Sequence, residues 1–190
     1  MLWIKNNLNK KFKWSIIGQQ VLMAQVYLPT IFANMNKKIL PDYLHKYLKI
    51  GGANVPFNTD AWDGYPKERE RLFKELKKVN SVLVLTGDTH NSWLNNLYDA
   101  NNNFIGVEIG TPAISSPNTI DTFGSLTNRI EEGFIKENKN VKWTEGKHKG
   151  YTLLKLTKDK SEVCFVYVNT VKSRVYAVSY THLTLPTNLC

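Results

Sequence analysis

Ser81-Val82-Leu83-Val84-Leu85-Thr86-Gly87-Asp88-Thr89-His90 decides the fold class. Its first six residues are β-formers with no polar break, a pattern that suits a strand covered on both faces and not one half exposed to water. Gly87 then allows a tight exit, and Asp88 and His90 follow where open α/β sheets present functional groups. Just upstream, Pro66–Val79 is the clearest helix of the chain. Proline stands where its missing N–H costs nothing, Glu68 and Glu70 lie near the positive end of the dipole, and Lys77 and Lys78 lie near the negative end. Leu72, Phe73, Leu76 and Val79 make one apolar stripe.

Working outward, Ser92–Tyr98 and Phe104–Gly110 read as a hairpin with a polar tip at Asp99–Asn103, because Ile105, Val107 and Ile109 alternate. Asn118–Asn138 reads as a partly helical insertion. Tyr151–Thr157 and Glu162–Thr170 read as a second hairpin, turning at Lys158-Asp159-Lys160. Toward the start, Trp14, Ile17, Val21, Leu22 and Val26 fall close to helical spacing, and Pro29 limits that helix. Residues 1–13 are polar and cationic and read as a ragged entry. Ala33–Phe57 is loop-like, with a short helix at Asp42–Leu48 as the alternative. The order helix, buried strand and hairpins gives an α/β class with mixed pairing.

The chain has 190 residues, of which 42% are hydrophobic and 12% aromatic, enough for one globular core and inconsistent with disorder as the main state. No apolar run is long enough for a membrane span, and the first residues lack the apolar stretch of a signal peptide. Cys164 and Cys190 make neither a disulfide framework nor a zinc pattern. Cys164 reads as a core-strand residue. The formal charge of +9 raises a basic binding module as one function class. Against it, Arg is scarce and Lys and Asn are spread over the whole length, so no nucleic-acid binding is expected.

Asp88 and His90 are two apart, so in extended backbone both side chains point one way, and a carboxylate with an imidazole suits a divalent or trivalent metal. The alternative is that Asp88 caps a turn and His90 is a hydrogen-bonded core residue. Asp63 reads as a turn cap before the helix or as a substrate-side acid. Glu108 reads as a buried or edge acid with a partner, His148 as a solvated loop residue or a substrate-proximal one. Trp62 and Trp93 read as packing residues.

Val84–Trp93 resembles the last metal motif of the PhoD-like alkaline phosphatases, a branch of the metallophosphoesterases. The segment Trp62-Asp63-Gly64-Tyr65-Pro66 with Glu68-Arg69 looks like that family's stretch before the helix. Gly106–Pro117 looks like its strand-to-loop element, Trp14–Met23 fits its upstream helix, and Lys149-Gly150-Tyr151 opens its closing hairpin. The resemblance runs from about residue 13 to 176. It implies an α/β fold, the C-terminal half of a four-layer α/β/β/α sandwich, and a phosphate-ester hydrolase acting on monoesters and diesters with iron and calcium. By motif position, His90 would ligate iron and Asp88 calcium. The resemblance further implies a small phosphate-ester substrate, an extracytoplasmic location and a monomeric parent. The family's remaining ligands would precede Trp14, so residues 14–177 are expected to be a truncated domain, inactive alone, with an uncovered apolar sheet face. A non-catalytic globular fragment is the alternative. Residues 178–190 resemble a translated transposase-type sequencing adaptor and are expected to lie outside the natural domain, which removes His182 and Cys190 as site candidates.

Overall fold

A computed structural model describes residues 2–39, 42, 45 and 49–185. The run at Val82–Thr86 is strand β2, and it sits inside a five-stranded mixed sheet of order β1-β2-β4-β3-β5. Here β1 is Ser15–Gly18, β3 Ser92–Tyr98, β4 Phe104–Gly110 and β5 Val141–Glu145. Strands β1 and β4 flank β2 in parallel, while β3 runs antiparallel to β4 and β5. Strands β6 (Lys149–Leu156), β7 (Ser161–Val168) and β8 (Val178–Leu185) make a separate antiparallel sheet.

The uninterrupted apolar run has a direct cause, since successive residues of β2 enter different cores. Val82 and Val84 face a cluster with Leu72, Phe73 and Leu76 of helix α2 (Pro66–Leu76). Leu83 faces the other way, where it joins Val107 and Ile109 of β4 against Val163, Phe165 and Tyr167 of β7. The second cluster is the seam between the two sheets. Burying each such aliphatic or aromatic side chain is worth about 1.5–3 kcal/mol.

The expected uncovered inner sheet face is therefore corrected, because β6–β8 packs on it. The mixed α/β class with a mixed sheet and antiparallel hairpins is as expected. Helices cover one face of the large sheet and the small sheet covers the other, and on the outer side of the small sheet Tyr151 and Leu153 are each 52% exposed.

Other expectations are corrected locally. The helix expected over Trp14–Val26 is β1 followed by an irregular segment, and Leu22, Met23, Ala24, Val26 and Leu28 in that segment are buried. The entry expected to be ragged contains a short helix, α1 (Leu2–Asn7). Its Ile4 packs on the first core and its Lys5 pairs with Glu75. The insertion holds α3 (Thr119–Phe123) and α4 (Thr127–Glu137), and α4 buries Ile130 and Phe134. The possible helix at Asp42–Leu48 lies outside the described residues except for Asp42 and His45.

Residues 178–185 pair with β7 along its whole length. The open edge of β7 templates any β-prone neighbour, so pairing and origin are separate matters for this stretch. Cys164 is half-buried on the outer side, with its Sγ 3.6 Å from Nε2 of His182, and is not the core residue expected.

Gly106 lies where β4 crosses closest to β2: a Cβ there would sit 2.4 Å from the carbonyl oxygen of Val82. The oxygen and the Cα that would carry the Cβ belong to paired strands, so neither can move aside cheaply. Gly106→Ala is expected to destabilise the chain by about 1–3 kcal/mol, the usual cost of overpacking. An unchanged thermal midpoint would contradict that close approach.

Candidate functional site

Loops from the C-terminal ends of β1, β2 and β4 meet at one end of the large sheet, the position where parallel strands release their loops together. The backbone ties them tightly. The Gly87 N–H donates to the Gln20 carbonyl at 2.9 Å, the Thr111 N–H to Thr86 at 2.9 Å, and the Ala113 N–H to His90 at 3.3 Å. The turn after β5 joins them from the side, where the Ile120 N–H donates to the Gly146 carbonyl at 2.9 Å.

The Gly87–His90 loop is strained. Asp88 and His90 have φ of 66° and 64°, in the left-handed region that non-glycine residues seldom occupy. Each such residue costs on the order of 1–3 kcal/mol and persists only where its surroundings hold it. Thr89 between them is anchored by the indole N–H of buried Trp93, which donates to its hydroxyl at 2.8 Å. The premise of an extended backbone carrying two parallel side chains is thus corrected. His90 lines a cleft, while Asp88 stands on the exposed crest of the loop and does not line it.

His90 is held through one ring nitrogen. Its Nδ1 lies 2.7 Å from the carbonyl oxygen of Pro117. A carbonyl only accepts, so Nδ1 carries the proton, and in the neutral ring Nε2 keeps its lone pair. A backbone carbonyl fixing the second nitrogen is the usual support of a metal-ligating histidine. Asp88 supplies a carboxylate that takes no hydrogen bond among the described residues. Imidazole nitrogen plus carboxylate oxygen is a donor set that accommodates both iron and calcium. Two donors are all that this loop offers, and among the described residues no three His, Cys, Asp or Glu side chains gather into a metal-sized group.

Asp63 is engaged elsewhere. Its carboxylate accepts the Val26 N–H at 2.9 Å and pairs with Arg69, whose side chain is as buried as its own. Burial raises its pKa, against the hydrogen bonds from Val26 and Arg69 and the guanidinium charge. It anchors the segment after β1 and is not part of the cleft lining. Glu108 is an anchor of the same kind. Fully buried in β4, it accepts the N–H groups of Met23 and Ala24 and the side-chain amide of Asn95.

His148 lies beside the site, on the turn between β5 and β6. Its Nδ1 is 2.9 Å from Oε1 of Glu145, which also accepts the Lys147 N–H, and its ring lies 5.5 Å from that of Tyr167. Asn118 links it to the cleft, donating to the His148 carbonyl at 3.3 Å while itself lining the cleft beside His90. Trp62 and Trp93 pack as expected, with Trp93 fully buried.

The aromatic wall of the cleft was not foreseen. Phe32, Phe57, Phe123 and Phe134 come from four separate segments and pack edge to face with centroids 5.0–6.3 Å apart. No local pattern in the sequence joins them.

The chain is similar to known proteins in sequence and in fold. A family model described as PhoD-like phosphatase matches residues 1–165, starting before the block at Trp14 and ending within β7. Alkaline phosphatase D of Bacillus subtilis (strain 168) is 29% identical over 163 residues, which cover 82% of this chain and 23% of that protein. A solved structure titled "Structure of PhoD" superposes with a TM-score of 0.68 at 25% identity, covering 94% of this chain and 30% of the other. The chain therefore spans less than a third of the length of either relative.

Proposed function

Because the chain belongs to the PhoD-like phosphatase family, we propose that it forms part of a metal-dependent phosphate-ester hydrolase whose metal centre includes His90 and Asp88. The supporting observation is the state of His90, with Nδ1 committed to the Pro117 carbonyl and Nε2 left free at the mouth of a cleft. His90 would hold iron through that nitrogen, and Asp88 would hold calcium through its carboxylate. Metal ions of this kind neutralise phosphoryl charge and activate the attacking oxygen.

The protein's own contribution is positional. The strained loop fixes the imidazole, Thr89 and Trp93 stop it relaxing, and Asn118 couples the rim of the cleft to the turn that carries His148. Glu145 holds the ring of His148 through Nδ1. On this reading His148 is substrate-proximal, while Asp63 serves the fold.

The remaining ligands come from outside the described residues. Two donors on one loop do not fix a multinuclear centre, so the 190 residues alone are inactive in this proposal. The test uses p-nitrophenyl phosphate and its bis ester, with iron and calcium supplied. A protein that joins this segment to the rest of a PhoD-like chain is expected to hydrolyse at least one of the two and to lose that activity on chelation. Metal-independent turnover, or none with metals bound, would overturn the reading. Turnover by the 190 residues alone would overturn the claim that they are incomplete.

A further inference from the structure

The carbonyl that holds His90 belongs to the peptide group between Pro117 and Asn118, and the other end of that group is engaged as well. Its oxygen accepts the Nδ1 proton of His90 at 2.7 Å, and its N–H, on Asn118, donates to Oδ2 of Asp121 at 3.0 Å. The same Oδ2 lies 2.5 Å from Nζ of Lys149. Imidazole, peptide, carboxylate and ammonium thus form one row. The next two N–H groups are also pinned, that of Thr119 by Oδ1 of Asn91 at 3.3 Å and that of Ile120 by the Gly146 carbonyl at 2.9 Å. The Pro117 oxygen cannot turn away from His90 without breaking the bond to Asp121.

We propose that Asp121 and Lys149 are positioning residues for His90, acting on it through the Pro117–Asn118 peptide group. The proposal rests on the hydrolase reading above and deepens it, by naming what sets the ligating nitrogen. The bond from Asn118 to Asp121 is also half of a capping box for α3, and capping alone would account for an aspartate at this position. It does not account for Lys149. That lysine is 8% exposed, and burying an ammonium group is costly unless it is paired. A five-residue helix capped by an exposed aspartate has no need of so buried a partner. Lys149 instead fixes which oxygen of Asp121 faces the peptide. Its hydrogen bond, with that from Asn118, holds the Asp121 carboxyl below the usual range, so the group is charged at neutral pH. A negative charge at the N–H end of an amide draws electron density toward its oxygen, and linked hydrogen bonds strengthen one another. The carbonyl then holds the His90 proton on Nδ1 more firmly, and Nε2 keeps its lone pair for a ligand. A metal-ligating histidine takes this support from a carboxylate or from a backbone carbonyl. Here the two stand in series.

NMR of the metal-free, isotope-labelled 190-residue chain reads this relay directly. At about pH 8.5, well above the ordinary histidine value, the ring nitrogens of His90 are expected to show the Nδ1–H form. Asp121→Asn keeps an oxygen for the Asn118 N–H and removes the charge. It should move the Asn118 amide proton upfield and shift His90 toward the Nε2–H form, with the thermal midpoint near that of the wild type. Lys149→Met keeps the buried stem and should act in the same direction to a smaller extent. A cap that served only α3 would lower the midpoint and leave the ring as it was. A wild-type ring in the Nε2–H form, or a tautomer unchanged in both variants, overturns the proposal. In a protein that joins this segment to the rest of a PhoD-like chain, Asp121→Asn should weaken iron binding about tenfold, the lower end of what loss of an outer partner costs, and excess iron should restore kcat. Turnover that excess iron does not restore would overturn the positioning role. Iron-dependent hydrolysis with a His90 indifferent to Asp121 would remove the relay and keep the reaction. A tautomer shift in the metal-free chain, with no iron bound by the joined wild-type protein, would remove the hydrolase reading and keep the relay.

Discussion

Glu108→Ala should destabilise this chain by upwards of about 3 kcal/mol, because it leaves three donors without an acceptor in the dry interior. Those donors are the Met23 and Ala24 N–H groups and the side-chain amide of Asn95. Each buried unsatisfied group costs roughly 1–3 kcal/mol, and the cavity left by the side chain adds to that. The segment after β1 has no strand or helix partner for its backbone at this point, so nothing else can satisfy it. Urea denaturation reads the effect. A loss under about 1 kcal/mol would mean that water or a rearranged Asn95 replaces the carboxylate.

The same residue should make stability depend on pH. Burial pushes the Glu108 carboxyl up to about 7 from its usual 4.5. The hydrogen bonds from Asn95, Met23 and Ala24 pull it down only in part, and the nearby Asp63 carboxylate adds to the rise. The folded state thus keeps a proton that the unfolded state has already lost between these two values. Stability from this group is full below about 4.5 and declines as pH rises, until it is lost above about 7. The slope for one such proton reaches about 1.4 kcal/mol per pH unit. Glu108→Gln, which does not titrate, should flatten the curve over that window. Wild-type and variant curves that run parallel from pH 5 to 8 would contradict the assignment.

The elements that could be read from the sequence are those stabilised by their own neighbours. Helix α2 carries its proline start and apolar stripe locally, β2 carries its continuous run, and both hairpins carry alternation around polar turns. The segment after β1 could not be read that way. Ile17, Val21, Leu22 and Val26 match helical spacing, yet Ile17 pairs with β2 and the residues from Met23 to Tyr27 donate their backbone N–H groups largely to side chains far along the chain. Glu108 serves Met23 and Ala24, Asp63 serves Val26, and Asn138 serves Tyr27. A long-range acceptor leaves no local periodicity, so the spacing misleads. Strand β5 shows no alternation for a related reason: its buried residues, Val141 and Thr144, stand three apart and not two.

The candidate site divides in the same manner. The loop at Asp88 and His90 was visible because a buried strand delivers it. The left-handed backbone, the Pro117 carbonyl and the aromatic wall depend on segments that meet only in the folded chain.

On the function proposed above, His90→Ala should lower metal content and turnover together in a protein that joins this segment to the rest of a PhoD-like chain. The loss should exceed the 10–100-fold that typically follows removal of a mere outer partner of a ligand. The fold should survive it, because His90 is only half-buried and its one side-chain hydrogen bond goes to the rim carbonyl of Pro117. Asp88→Gly separates the two demands on this loop. At φ of 66° glycine is relieved of a strain of about 1–2 kcal/mol, offset in part by its greater freedom in the unfolded chain. Its thermal midpoint should hold or rise while metal binding falls, if the proposed role of the Asp88 carboxylate is right. Midpoint and metal content measured on the same preparations decide the matter. Unchanged metal content in both variants would remove these residues from the centre. A marked loss of stability in Asp88→Gly would mean that the aspartate holds the loop, and that the left-handed backbone answers to folding and not to chemistry.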